Sequence, residues 1–164
     1  MSIEWQTIAE DFASDGALRD IYVFQTSASD WQHALEVVRL MATDIQYRGG
    51  EQLLPLPSSF GDTSEFGRLL TFRIGNLELA CHFFHDAAIE FDFWPSNLTG
   101  QTDLNDLLHF IQHLGASVGK PVIVCPENSP DYAFLRYDPQ SQLSSYVQIQ
   151  HPKQSSQPHT SPTP

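Results

Sequence analysis

Gly75-Asn76 constrains this chain more than any other feature, because an alternating apolar run stands on each side of it. A Gly-Asn pair between two such runs signals a two-residue hairpin turn. With that pair as the loop, Ile74 faces Leu77, Arg73 faces Glu78, Phe72 faces Leu79, Leu70 faces Cys81 and Leu69 faces His82. A three-residue turn at His85-Asp86-Ala87 then sets Phe83 against Ile89, His82 against Glu90 and Ala80 against Asp92. The parity agrees across all three runs. Leu70, Phe72, Ile74, Leu77, Leu79, Cys81, Phe83, Ile89, Phe91 and Phe93 share one face, and Arg73, Glu78, His82, Glu90 and Asp92 share the other. A slip of one residue would turn every side chain over, so the apolar pattern pins the register.

Around this hairpin system the chain predicts three helices. Trp5, Ile8, Ala9 and Phe12 recur at helical spacing behind a candidate Ser2 N-cap. Ser29 and Gln32 match a capping box, followed by a stripe of Trp31, Ala34, Leu35, Val38, Met41 and Ala42. From Asp103 to Val118, behind Thr102, the residues Leu104, Leu107, Leu108, Ile111, Leu114 and Val118 form a third stripe, closed by Gly119-Lys120-Pro121. Strands are expected near 20–26, 45–48, 52–56, 122–125, 133–137 and 145–149. The order α-β-α-β-β-β-β-β-α-β-β implies an α+β fold. Its expected form is a mainly antiparallel sheet, with a central three-stranded meander at about 69–94 and two or three helices packed on one face. Residues 1–147 are expected to form this single domain. Residues 148–164, with four prolines, four glutamines and three serines, hold too little apolar surface to offset their ordering entropy and read as a disordered tail.

Charge decides which partners suit such a chain. Twenty Asp and Glu stand against eight Lys and Arg, a formal net charge of −12, and the 148–164 stretch carries none of the acids. A surface of this sign repels phosphate backbones, so nucleic-acid binding is disfavoured, and anionic membranes repel it as well. No run approaches the roughly 18–20 apolar residues that span a bilayer. Met1-Ser2-Ile3-Glu4-Trp5 lacks the basic and apolar segments of a secretion signal, and Cys81 and Cys125 alone imply no disulfide framework. A cytoplasmic location is therefore expected.

Several constellations bear on chemistry. His82 with His85, and His109 with His113, have spacings that metal ligands use, but the helical pair lies ~160° from Ile111, on the solvated side of its helix. These four read chiefly as surface histidines, with metal binding as the alternative. No cofactor is implied. His82 set against Glu90, with Asp92 two residues on, is the better local group, because a carboxylate beside an imidazole suits general-base chemistry. The plainer reading is a cross-strand charge pair, and only Thr71 and Thr99 are at hand as hydroxyl groups. Cys81 and Cys125 read as buried apolar residues. Gly49-Gly50 is not followed by a helix start, so it makes no phosphate cradle. Asn97-Leu98-Thr99 matches the glycosylation pattern by chance in a chain without a secretion signal.

Trp94, Phe84, Phe110, Tyr47, Phe60 and Phe66 fit the core faces poorly. Aromatics among carboxylates suit a protein-binding surface, here Glu78, Glu90, Asp92 and Trp94; a second small cluster under the loop 57–68 is the alternative. In size and acidity the chain resembles bacterial immunity proteins, which neutralise toxins and are often acidic because their targets are basic. The resemblance implies a basic protein partner. The leading expectation is a non-catalytic interaction domain that neutralises or escorts such a partner. A small hydrolase, metal-dependent or not, built on His82, His85, Glu90 and Asp92, is the alternative, and a homodimer through the aromatic loop is a third reading.

Overall fold

The computed structural model describes residues 2–63 and 67–149. Phe66 and all of the expected tail except Gln148 and Ile149 lie outside the described residues. Ile149 packs, partly buried, against the core.

In chain order the elements are α1 (Trp5–Ile8), continued as a 3₁₀ turn over Ala9–Phe12, β1 (Arg19–Phe24), α2 (Ala28–Met41), β2 (Thr43–Gly49) and β3 (Gln52–Leu54). Then come β4 (Arg68–Ile74), β5 (Leu77–Cys81), β6 (Ala88–Phe93), α3 (Gln101–Val118), β7 (Val122–Pro126), β8 (Leu135–Asp138) and β9 (Leu143–Tyr146). The class is α+β. Among the described residues the strands form one open, nine-stranded antiparallel sheet in the order β3-β2-β4-β5-β6-β1-β7-β8-β9. The second strand to be formed along the chain is thus not beside the first: β1 sits mid-sheet, between β6 and β7.

The turn at Gly75-Asn76 fixes the β4–β5 register as Ile74↔Leu77, Arg73↔Glu78, Phe72↔Leu79 and Leu70↔Cys81. Gly75 carries φ +57° and Asn76 no positive φ, the pattern of a II′ turn, whose first central position favours glycine. A Cβ at Gly75 would also collide with the Asp106 carboxylate of α3, so the turn lies under that helix. All ten residues that alternation assigns to one face, from Leu70 to Phe93, are buried. A fully buried side chain of this kind contributes roughly 1.5–3 kcal/mol.

Beyond Cys81 the structure departs from the expected three-residue turn. β5 ends there, the Leu69–His82 and His82–Glu90 pairings do not form, and residues 82–87 make a longer connection. Phe83, at φ +52°, takes the backbone out of the ladder and puts its ring on Trp31 (centroids 5.3 Å apart) and Tyr47 (5.7 Å). Trp31 Nε1 donates to the Asp86 carbonyl at 2.9 Å, which ties the connection to the start of α2. Burial of a phenyl ring, worth roughly 1.5–3 kcal/mol, offsets a left-handed backbone cost of similar size, roughly 1–3 kcal/mol.

The helix starts differ as well. Ser2 caps nothing, and its hydroxyl donates to Glu4. The capping box of α2 is Ser27 with Asp30, not Ser29 with Gln32: the Ser27 N–H donates to Asp30 at 2.8 Å and the Asp30 N–H to the Ser27 hydroxyl at 3.3 Å. α3 begins behind Gly100 rather than Thr102, and the buried Asp103 gathers the donors there instead. Its end at Gly119, in the left-handed conformation, agrees with the sequence.

Tyr47 and Phe110, expected to lie outside the core faces, are buried. α3 packs on α2 as well as on β4, β5, β7 and β8, so its apolar face is wider than one stripe, and Phe110 wedges between Phe72 and Phe91. Phe60 meets Trp31 (4.9 Å) and Phe83 (6.3 Å), so it packs against the main core rather than in a separate cluster under the loop.

Candidate functional site

The alternation that buries Ile89, Phe91 and Phe93 leaves Ala88, Glu90 and Asp92 on the opposite side of β6, half-exposed. β1 alternates likewise, with Ile21 and Val23 in the core and Asp20, Tyr22 and Phe24 on the side of Glu90 and Asp92. The β1–β6 register sets Asp20 beside Asp92 and Tyr22 beside Glu90. Three carboxylates therefore crowd onto two neighbouring strands. Like charges side by side across a sheet are destabilising.

Burial raises all three above the usual carboxylate range. For Asp20, the Asn128 N–H (2.7 Å) and the Tyr22 hydroxyl (3.1 Å) offset this in part, while the nearby Glu127 adds to it. Glu90 is raised by burial and then by the Asp20 charge, with Tyr22 and His82 opposing. Asp92 is raised by burial, with His82 opposing and Asp20 and Glu127 reinforcing. The Tyr22 hydroxyl lies within hydrogen-bonding reach of both Asp20 and Glu90, and burial first, then those charges, push its titration far up. Among the described residues no Lys or Arg forms an ion pair with Asp20, Glu90 or Asp92.

His82 meets Asp92, not Glu90, in closest contact, Nε2 to Oδ2 at 3.4 Å, and stacks on Phe84 at 5.4 Å. Glu78 sits at the margin, ion-paired to Arg73 at 3.1 Å, and Arg73 also reaches Asp44 at 3.7 Å. Exposed aromatics ring the acidic centre: Phe84 at 69%, Trp94 at 54% and Phe24 at 43%, the last stacked on Tyr22. Beside Trp94 a hollow of about 250 Å³ opens, lined by Glu78, Ala80, Asp92 and Asn97 among others.

His85 is exposed in the β5–β6 connection, and His109 and His113 are exposed on α3 with rings 4.8 Å apart. Among the described residues no three His, Cys, Asp or Glu side chains converge into a metal-holding group. Cys81 and Cys125 are buried, and burial pushes both thiols up to about 12. Thr99 donates its hydroxyl to Asp103 at 2.8 Å, and Thr71 lies opposite Ala80 in the ladder. The His82–Asp92 contact sets an imidazole beside a carboxylate, and among the described residues Thr71 and Thr99 form no hydrogen bond to it.

Sequence reasoning found Glu90, Asp92 and His82 but missed Asp20, Tyr22 and Glu127. The Asp20–Tyr22–Phe24 alternation was there to be read; its place beside β6 was not. Among the described residues no helix is long and apolar enough to cross a membrane. Comparison with protein-family models, with curated proteins and with solved structures gives no match to this chain.

Proposed function

We propose that the chain is a non-catalytic interaction domain whose acidic sheet face binds a basic protein partner. In this reading β4, β5 and β6 act as a meander, extended by β1, and the long helices cover the opposite face and leave the polar one open. The observation that carries it is the Asp20↔Asp92 and Tyr22↔Glu90 register: three partly dehydrated carboxylates on adjacent strands that, among the described residues, form no ion pair with a Lys or Arg. A fold keeps such repulsion at a cost in stability, and a cationic surface laid over it relieves that cost. Phe24, Phe84 and Trp94 supply contact area around the charge. The two free, buried cysteines suit a reducing compartment such as the cytoplasm.

The test uses poly-L-lysine as a generic basic partner and measures its association rate against ionic strength. A rate that falls steeply with salt, and falls again in a Glu90→Gln/Asp92→Asn double variant, supports the reading. A rate indifferent to both would sink it. The 3.4 Å His82–Asp92 contact favours a second reading, a small hydrolase; ester or phosphoester hydrolysis lost in His82→Ala would establish it in place of the first.

A further inference from the structure

The hollow beside Trp94 has a shape that charge alone does not explain. Ala80 lines it, on the same side of β5 as Glu78. In the ladder Ala80 stands between Thr71 of β4 and Asp92 of β6, so a single methyl group is surrounded by longer side chains. Alanine is depleted in strands, where β-branched and aromatic side chains fill the pleated surface better. Asp92 and Trp94, from β6 and its continuation, line the hollow together with Glu78 of β5 and Asn97. At about 250 Å³ the space falls below the roughly 300–1,000 Å³ of small-molecule clefts. It suits one inserted side chain.

The lining selects the kind of side chain. The indole of Trp94 is 54% exposed, and tryptophan is the best aromatic face for a cation. The Asp92 side chain is only 17% exposed, so a hydrogen bond made to it forms in partly dehydrated surroundings, where it is stronger. Among the described residues the closest side chain that can ion-pair with it is His82, Nε2 to Oδ2 at 3.4 Å. Glu78 is already paired with Arg73 and contributes field more than contact. A planar guanidinium can stack on the indole and donate sideways to a carboxylate at once, which a lysine ammonium cannot.

We propose that this hollow seats one arginine side chain of the basic partner, stacked on Trp94 and hydrogen-bonded to Asp92. The proposal rests on the docking reading of the acidic face and names its anchor.

The probe is the capped peptide Gly-Gly-Arg-Gly-Gly, titrated into the full chain while the Trp94 indole N–H is followed by NMR. Lysine and citrulline versions of the peptide serve as controls. The arginine peptide should give a saturable shift, the lysine peptide should bind about three- to fivefold more weakly, and the citrulline peptide should give none. Ala80→Leu fills the hollow without touching a charge and should weaken the arginine peptide about tenfold at an unchanged unfolding temperature. Trp94→Ala, at an exposed position, gives a second variant, read on the Ala80 amide, with a loss of the arginine-over-lysine preference. Equal binding of the arginine and lysine peptides, no shift with either, or full binding in Ala80→Leu would each overturn the anchor. Poly-L-lysine, run alongside, separates the two levels. If it still binds with its salt dependence while the arginine preference is missing, the anchor fails and the docking face stands.

Discussion

Asp20 and Asp103 are both nearly closed to solvent, 2% and 4% exposed, but Asp20 lies deeper in the protein and is the more strongly desolvated. Their carboxyl groups titrate in opposite directions. Burial alone raises both. At Asp103 the Thr99 N–H and hydroxyl, each at 2.8 Å, and the Asn76 amide at 2.9 Å outweigh it, so the group ends below the usual range. Asp30 behaves alike: burial is outweighed by Lys120 at 2.6 Å and by the Ser27 N–H. On the sheet face, Asp20 has two donors but also carboxylate neighbours, and Asp92 meets a histidine at 3.4 Å. The helix starts hold their acids by converging donors; the sheet face holds its acids against one another. The first arrangement stabilises the fold, and the second leaves its carboxyl groups raised, by burial first and by one another after it.

Four substitutions probe this contrast. Asp103→Ala strands three donors at the start of α3 and should destabilise by about 2–3 kcal/mol in denaturant unfolding. Asp30→Ala removes half of the capping box and the Lys120 bond, and about 1–2 kcal/mol should be lost by the same measurement. Asp92→Asn should do the reverse and stabilise by roughly 0.5–1 kcal/mol at pH 7. A carboxyl raised in the folded state binds protons more tightly there than in the unfolded chain. Its favourable contribution is complete below its unfolded pKa near 4 and is lost as pH rises through the folded value. The gain from Asp92→Asn should therefore shrink on acidification from pH 7 toward about 4, whereas the contributions of Asp30 and Asp103 persist there and fade only below it. A gain that is the same at both pH values would break the comparison. Asp15→Ala should do least, under about 0.5 kcal/mol, since Asp15 is 56% exposed and Arg19 keeps the carbonyls of Asp11 and Ala13.

The β4–β5 hairpin was legible because its information is local: two turn residues and an alternating pattern fix every pair from Ile74↔Leu77 to Leu70↔Cys81. The position of β1 was not, because its pairing with β6 joins residues some seventy positions apart and no turn chemistry encodes it. Half of the acidic centre therefore stayed hidden: Glu90 and Asp92 share a strand with their pattern, while Asp20 and Tyr22 reach them only through the sheet order. The capping error at α2 has a smaller cause. Ser27-Ala28-Ser29-Asp30 and Ser29-Asp30-Trp31-Gln32 both fit the pattern, and the buried Trp31, held by Asp86, places the first turn around the earlier serine. Phe110 was misplaced because a helix packed on two sides buries more than one stripe.

Lys120 stands immediately after the left-handed Gly119 that ends α3, and its ammonium grips the same Asp30 oxygen that closes the cap of α2. The C-terminal end of one helix is thus fastened to the first turn of the other. Amide hydrogens at 27–31 and at 119–122 should then exchange with solvent through one shared opening event rather than two, and Lys120→Met should split them into separate populations.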